Sequence, residues 1–262
     1  MKKDYFTKVS PAFLLCLLIA AAGCFCAGGC IPTEKYERTE QLSAPFAPGQ
    51  TLDVQTNVGS ITVTGADVST CDVTATITAK AKTTEKARKL AEETRIKLEP
   101  AGDKLKVKVE KPPMADKDAI CVSFDITVPE QTTLDLKTNV GELKVDNTTG
   151  PIEAATNVGT ITCREITGRV DLTTNVGEVK AVYAKDAPAA CNASLSTSVG
   201  EIVFAGPDNL SAKFHVSANI GSIETRLPLT VTGKINKSLS GTVGKGEGKV
   251  ILRTNVGSIK IR

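Results

Sequence analysis

The stretch TNVGELKVDNTTGPIEAATNVGTITCREITGRVDLTTNVGEVKA, residues Thr138–Ala181, decides the fold of this chain. Within it the tetrapeptide TNVG recurs every 18 residues, with its glycines at Gly141, Gly159 and Gly177, and a further glycine lies halfway between each pair. Self-similarity at so short a fixed period predicts a stacked architecture, in which each repeat packs on its neighbours. Related tetrapeptides occur elsewhere: TNVG ending at Gly59 and Gly257, TSVG at Gly200 and ANIG at Gly221.

Apolar residues stand at fixed distances from each of these glycines. Around Gly159 they are Ile152 and Ala154 before it, and Ile161 and Cys163 after it, with mostly polar residues between them. The same four positions are predominantly apolar around the other turn glycines. Alternation with period two predicts a β-strand with one buried face. Each repeat is therefore predicted to be a strand, a tight turn and a second strand.

The turn residues predict ladders along the stack. Glycine suits a turn position with positive φ, and coils stacked about 4.8 Å apart place like residues above like. Stacked Asn amides can hydrogen-bond to one another, which makes their predicted role structural. The Asn column comprises Asn57, Asn139, Asn157, Asn175, Asn219 and Asn255. A Thr column, formed by Thr56, Thr138, Thr156, Thr174, Thr197 and Thr254, runs beside it.

These patterns predict an all-β fold, a β-solenoid over residues 49–262 with coils of about 18–23 residues. Residues 134–262 form the regular coils, whereas residues 66–133 are predicted to be an α+β cap that covers the open end. Alternating apolar residues in the cap predict strands, and helical spacing over Thr84–Leu98 predicts one helix. The register between Gly221 and Gly257 is not assigned by the pattern. The final IKIR is predicted to be an edge strand protected by Lys260 and Arg262.

The N-terminus predicts export. A basic start followed by an apolar run over residues 11–22 is typical of a secretory signal, so residues 1–23 are predicted to be a signal peptide. The following Ala21–Cys24 resembles the lipobox of bacterial lipoproteins, which makes Cys24 the predicted lipid anchor and Cys30 the alternative. An uncleaved anchor over Pro11–Ile31 is a third interpretation. Residues 24–48, polar and rich in proline, are predicted to be a flexible tether.

At the level of the whole domain, the chain resembles the bacterial putative-adhesin domain family. The resemblance covers about Phe46–Arg262 and rests on leading strands, a helical excursion, the segment ITVPE at Ile126–Glu130, and coils of the type xNxGxIxV. It implies a right-handed, single-stranded β-helix that is secreted or membrane-attached. No catalytic residues are established for that family.

Few residues are suited to catalysis or to metal binding. The single histidine, His215, occupies an outward position and has no second histidine to form a ligand set or a triad. Single glycines without the GGxGxD motif exclude the calcium-binding nonapeptide solenoid. A stacked acidic column of Asp135, Glu153 and Asp171 is a weak candidate for binding a divalent cation, and a solvated acidic stripe is the simpler interpretation. No cofactor is predicted.

Cysteines outside the N-terminal segment raise the question of a disulfide in an exported protein. Cys163 falls in an inward column and is predicted to be a small core residue. Cys71 and Cys121 both fall in cap strands and are the candidate pair, although spacing does not prove pairing.

The function predicted from these features is non-enzymatic: an adhesin-like envelope lipoprotein with a binding or scaffold surface, on the periplasmic or cell-surface side. The predicted partners are the membrane through the N-terminal lipid, a glycan or an envelope protein, and further copies of the chain. Sparse aromatics and no basic patch argue against nucleic acid. An envelope-stress sensor is the alternative. A polysaccharide-cleaving β-helix enzyme is a remote one, because paired carboxylates and sugar-stacking aromatics are not evident.

Overall fold

The computed structural model describes residues 34–227, 230–231 and 238–262, and within them β-strands form two large sheets joined by tight turns. Each repeat contributes one strand to each sheet, as the alternation predicted. The ten-stranded sheet has the order β1-β4-β7-β3-β9-β11-β13-β15-β21-β17, and the eleven-stranded sheet has the order β18-β19-β16-β20-β14-β12-β10-β8-β2-β6-β5. The all-β, solenoid-like prediction is confirmed. The right-handed, single-stranded winding stays a prediction.

The strand bounds follow the glycine-centred columns. The ten-stranded sheet consists of β1 Glu34–Pro45, β3 Ile61–Ala66, β4 Thr70–Ala81, β7 Ala119–Pro129, β9 Leu143–Thr148, β11 Ile161–Ile166, β13 Val179–Tyr183, β15 Ile202–Ala205, β17 Ile223–Thr225 and β21 Ile259–Ile261. The eleven-stranded sheet consists of β2 Thr51–Val58, β5 Arg95–Ala101, β6 Lys104–Glu110, β8 Thr133–Val140, β10 Ile152–Val158, β12 Val170–Val176, β14 Asn192–Val199, β16 Ala212–Ile220, β18 Thr230–Val231, β19 Ser238–Val243 and β20 Gly248–Val256.

Each coil is named here by its turn glycine, so that the Gly159 coil is β10 and β11. Neighbouring coils pair in parallel with like above like: Ala154 pairs with Leu136 on one side and with Leu172 on the other. The four predicted inward columns are buried between the sheets, except in the Gly221 coil, where Ile223 is half-buried and Thr225 exposed. Burial of these aliphatic columns is the main stabilising term of the stack.

The coils do not stack in chain order. The C-terminal Gly257 coil lies between the Gly200 and Gly221 coils, because β20 pairs with β14 and β16, and β21 pairs with β15 and β17. The prediction of a C-terminal edge strand is therefore wrong. Sequence periodicity defines a coil and its inward face, but it does not specify which coils are neighbours when a segment of the chain returns.

The cap extends both sheets beyond the Gly59 coil. Strand β7 pairs in parallel with β3, and β6 pairs in parallel with β2, so the backbone of the first coil is covered in both sheets. The helix α1 spans Thr84–Glu93 and is shorter than predicted. Thr94 adopts an extended conformation, and Ile96, two residues later, is buried. Ile96 belongs to β5, which pairs antiparallel with β6. Tertiary pairing of β5 thus overrides the helical spacing of its sequence.

The predicted tether is wrong for residues 34–45. They form β1, which pairs with β4 antiparallel along its whole length, from Glu34 opposite Ala81 to Pro45 opposite Thr70. The Arg38 side chain donates hydrogen bonds to the carbonyl oxygens of Ala91 (2.8 Å) and Thr94 (2.5 Å), which ties β1 to the end of α1. The alternation was weak in the sequence because only part of the half-buried face of β1 is apolar. The predicted signal peptide and the candidate lipid anchors Cys24 and Cys30 lie outside the described residues.

Candidate binding surface

In five of the seven coils, the turn between the two strands is built from a Thr, an Asn and a Gly; the Gly200 coil has Ser198 in place of Asn, and the Gly221 coil has Ala218 in place of Thr. Gly159 has a φ of 151°, and a Cβ there would lie 1.8 Å from the carbonyl oxygen of Gly141 in the coil below. Glycine is thus required both by its φ and by the approach of the neighbouring backbone. The other predicted turn glycines are equally crowded and also have positive φ: Gly59, Gly141, Gly177, Gly200, Gly221 and Gly257.

The Asn side chains form the predicted ladder on the solvent side of the turn. Asn175 donates from Nδ2 to Oδ1 of Asn157 (2.9 Å), Asn157 donates to Asn139 (2.7 Å), and Asn139 donates in turn to Asn57. Ser198 interrupts the column in the Gly200 coil. The ladder then resumes between Asn219 and Asn255, whose amide groups lie 3.1 Å apart. The Asn residues therefore have the structural role that was predicted.

The Thr hydroxyls occupy the inner side of the same turn and satisfy the glycine carbonyls. Thr138 donates to the Gly59 oxygen (3.2 Å) and Thr174 to the Gly159 oxygen (3.3 Å). In the next two coils of the stack, Thr197 donates to the Gly177 oxygen and Thr254 donates to the Gly200 oxygen. Thr156 differs, because its hydroxyl is buried and has no hydrogen-bond partner. A buried hydroxyl without a partner is energetically unfavourable, and the equivalent Thr residues avoid this cost by donating to a glycine carbonyl.

A groove of about 240 Å³ lies on the outer face of the eleven-stranded sheet, beside the Asn ladder. Ala155 is half-buried between Lys137 and Thr173 on the adjacent coils, and its small side chain leaves room above the sheet. The lining residues are Lys137, Thr138, Asn139, Ala155, Thr156, Asn157, Thr173 and Asn175. Six of these eight residues are Thr or Asn, so the groove offers hydrogen bonds to a polar ligand.

The acidic column lies next to the groove. Glu153 pairs in register with Asp135 and with Asp171, so the predicted stacking is observed. Lys137 binds Asp135 at 2.9 Å, and this hydrogen bond raises the pKa of the Lys137 ammonium, with Glu153 and Asp53 contributing their charge. Stacking along one column does not converge the carboxyl groups: within the described ranges, no group of three or more His, Cys, Asp or Glu side chains is arranged to hold a metal ion.

The cysteines in the described part of the chain are free thiols, and the predicted Cys71–Cys121 disulfide is wrong. Cys121 lies opposite Thr78, seven residues along β4 from Cys71, a separation of about 23 Å at strand spacing. The two side chains also differ in burial: Cys71 is in the core and Cys121 is half-exposed. Burial raises the pKa of Cys71 and of Cys163 to about 12, which keeps both as unreactive thiols.

His215 lies on the exposed face of β16, as predicted. Its Nδ1 is 3.5 Å from the Ser240 hydroxyl on the antiparallel strand β19, at the outer limit of a hydrogen bond. The aromatic residues of the coils lie inside instead: Phe204 packs between Tyr183 and Phe214, with ring centroids 5.8 Å apart in both pairs. None of these three rings is exposed for stacking against a sugar. Among the residues that the structure describes, no helix is long and apolar enough to cross a membrane.

Sequence reasoning did not identify two features of this surface. The groove was missed because its floor forms where Ala155 is smaller than the residues stacked on either side of it. The signal for this in the sequence is one alanine at an outward position, which is a weak signal. The column of valines before the turn glycines was missed because strict alternation does not place two successive residues, Asn and Val, on the outside.

Comparisons with known proteins agree with this architecture. A putative cell adhesion protein from Clostridium sporogenes ATCC 15579 has a similar solved structure, with a TM-score of 0.51 and 12% identity, over 86% of this chain and 99% of that chain. A putative adhesin from Bacteroides fragilis NCTC 9343 gives a TM-score of 0.46 and 16% identity, over 86% and 97% of the two chains. At these identities, the first likeness bears on the fold alone. A comparison with curated proteins gives no match. The sequence model of the Toastrack DUF4097 family matches residues 47–262, and the chain therefore belongs to that family of putative-adhesin domains.

Proposed function

We propose that this protein is a non-enzymatic, adhesin-like lipoprotein of the bacterial cell envelope, held by a lipid on Cys24, whose solenoid binds a neutral glycan. The observation that carries the proposal is the groove at Ala155, whose rim carries the exposed amides of Asn139, Asn157 and Asn175 and the exposed hydroxyl of Thr173. Sugar hydroxyls both donate and accept hydrogen bonds, so they complement the Thr173 hydroxyl and the ladder amides. The adhesin-like description of structurally similar proteins supports the same class of function.

The charge around the groove favours a neutral ligand over an anionic one. Lys137 is the cation at its rim and is already paired with Asp135, with Glu153 stacked beside that carboxylate. An acidic sugar would have to displace this pairing in a solvent-exposed, acidic setting. A neutral saccharide needs only to replace water on the amides, and the regular spacing of the coils allows several weak contacts along one chain.

A glycan array with the chain from Glu34 onward tests the binding. Thr173→Val keeps the shape of the side chain and removes an exposed hydroxyl at the groove, so we expect binding to fall about tenfold with the fold unchanged. Thr174→Val is the matched control, because it removes a hydroxyl that bonds inside the turn. It should lower stability and leave binding intact.

Capture of a single membrane signalling protein by the intact chain, with no glycan bound, would favour envelope-stress sensing instead.

The proposed lipid anchor has its own test. Cys24→Ala should move the protein from the detergent phase to the aqueous phase in a detergent-partition experiment. If Cys30→Ala releases the protein and Cys24→Ala does not, the lipid is on Cys30. Retention of both variants in the detergent phase would instead favour an uncleaved anchor.

A further inference from the structure

Exposed aliphatic side chains line one corner of the solenoid. Eight large hydrophobic residues are exposed in the described part of the chain, and all but Met114 occupy the position before a turn glycine. In spatial order they are Val58, Val140, Val158, Val176, Val199, Val256 and Ile220, with exposures of 38–67%. Single exposed hydrophobic residues are ordinary, but a continuous column along the whole stack is not. We name these seven residues the corner ridge.

The corner geometry exposes this ridge. Asn and the following Val both face solvent before the chain turns inward at glycine. Around the corner, the ridge therefore has the Asn column on one side. On its other side lie the residues that follow each turn glycine, which we name the post-glycine column: Ser60, Glu142, Thr160, Glu178, Glu201, Ser258 and Ser222.

We propose that the corner ridge binds the corner ridge of a second copy of this chain, with the two stacks parallel and a two-fold axis running along the ridge. Such an axis exchanges the two flanks and keeps each coil opposite its own equivalent. It therefore faces the Asn column of one copy with the post-glycine column of the other. Asn139 then meets Glu142 of the second copy, and Asn175 meets Glu178 of the second copy.

The flanks are complementary in this arrangement in every coil. Each Asn donates at most one amide hydrogen along the ladder, so a second hydrogen is free for a carboxylate or hydroxyl acceptor. Ser198, which interrupts the ladder, would meet Glu201 of the second copy, and its hydroxyl can donate to that carboxylate. The remaining coils pair Asn with Ser or Thr.

An antiparallel arrangement is less favourable. A two-fold axis across the ridge would place like flanks together and reverse the coil order, with the Gly177 coil at the centre. Glu178 would then face Glu178 of the second copy, and like charges in contact are repulsive. Asn amides would face Asn amides without a carboxylate acceptor at the centre.

The contact is small. Seven coils at about 4.8 Å spacing give a ridge about 29 Å long, which with its two flanks covers roughly 300–400 Å² on each copy. Stable complexes bury about 800 Å² per partner. A self-association of this size is weak in free solution and is favoured where the chains are confined to one surface in the same orientation. Only this strengthening depends on the proposed membrane anchor; the pairing pattern does not.

Thiol cross-linking in the full-length, membrane-bound chain tests the proposal. Cys121→Ser removes the one described thiol that is not buried, and that parent measures any cross-linking through the N-terminal cysteines. In this background, Val158→Cys should cross-link to itself, at least fivefold above Arg164→Cys, an exposed position of the same coil away from the ridge. Val140→Cys should do the same. Val176→Cys, at the centre, should cross-link in either orientation.

Each other outcome overturns the proposal. In an antiparallel pair, Val158→Cys would cross-link to Val199→Cys in a mixture of the two variants and not to itself. No cross-linking above Arg164→Cys at any ridge position would exclude a second copy as the occupant. A product of different mass would identify another protein on the ridge. As a second measurement, Val158→Asp with Val176→Asp should abolish the native-state cross-link at Val140→Cys, whereas the matched Val→Thr pair should reduce it less.

Discussion

Three residues, Asn, Gly and Thr, perform different tasks at most turns of this protein, and only two of the tasks are evident from the repeated TNVG. Asn followed by Gly predicted the amide ladder and the positive φ. The Thr hydroxyl was predicted only as part of a ladder, yet it donates to the glycine carbonyl of the adjacent coil, as Thr138 does to Gly59, 79 residues away. A bond across so much sequence is determined by the stacking of coils, which local periodicity does not encode.

Glycine 159 should tolerate even a methyl group poorly. Gly159→Ala forces a φ of 151° on a residue with a Cβ and drives that atom into the Gly141 carbonyl, so we expect a loss of more than about 2 kcal/mol in the free energy of unfolding. Gly102→Ala is the control, because Gly102 also has positive φ, 68°, but open space around it, and should lose about 1 kcal/mol. Urea titration measures both. Equal losses would mean that neighbouring coils do not crowd the turn.

Asparagine 157 should be sensitive to loss of its amide hydrogens. Asn157→Asp keeps the acceptor for Asn175 but replaces the donor to Asn139 with an oxygen, so two acceptors face each other. We expect a loss of about 1 kcal/mol in the free energy of unfolding. Asn57 is the terminal acceptor of the ladder and donates no described hydrogen bond, so Asn57→Asp should be nearly neutral. A comparable loss at both positions would argue that the ladder contributes no directional bonding.

At the level of secondary structure, strands with one fully buried apolar face were predictable, whereas the edge strand β1 was not. The alternating columns of β8 to β13 are buried throughout, so hydrophobicity alone defined them. Strand β1 presents only a half-buried face, and Arg38 and Glu40 occupy positions on it that look solvent-exposed in sequence. The two residues form an ion pair at 3.0 Å. A polar side chain that is satisfied by tertiary contacts is not distinguishable in sequence from one in a loop.

Arg38 should hold β1 and α1 together. Arg38→Met keeps much of the aliphatic packing but leaves the carbonyls of Ala91 and Thr94 without their charged donor, so we expect a loss of about 1.5–3 kcal/mol in unfolding free energy. Amide hydrogen exchange should also increase in α1. Lys35→Met, which breaks only an exposed ion pair with Glu37 on the same strand, should change stability by less than about 1 kcal/mol. If Lys35→Met is as damaging as Arg38→Met, β1 acts through its charge and not through this contact.

At the scale of the whole molecule, the sequence predicted the two-sheet stack and the cap, but neither the spatial order of the coils nor the candidate groove. The Gly257 coil has the same inward columns as every other coil, and nothing in its sequence distinguishes an inserted coil from a terminal one. The groove requires Lys137, Ala155 and Thr173 to be adjacent, although they come from three different coils. Both features depend on which coils are neighbours, and the identity of those neighbours is a property of the assembled stack.

Insertion of the C-terminal coil makes the far end of the solenoid dependent on the last residues of the chain. Strands β16 and β17 of the Gly221 coil pair with β20 and β21, and β20 and β21 in turn pair with the strands of the Gly200 coil. The C-terminal coil is therefore the connection between the Gly200 and Gly221 coils. Removing residues 246–262 would expose Leu195 and Phe214. In the intact chain, Leu252 pairs with Leu195, and Val250 pairs with Phe214. We therefore expect amide hydrogen exchange in β16 and β19 to approach that of an unfolded chain, while β8 to β13 retain most of their protection.

The matched comparison for this truncation is a single core substitution in each region. Leu252→Ala in the inserted coil should increase exchange in β14 and β16 together, because β20 pairs with both. Leu172→Ala, in the same inward column of the Gly177 coil, should act on β10 and β14 instead and leave β16 protected. Each substitution is expected to cost about 2–5 kcal/mol in its own region. Retained protection of β16 in the truncated chain would show that the Gly221 coil folds without the C-terminal coil and would contradict the inserted order.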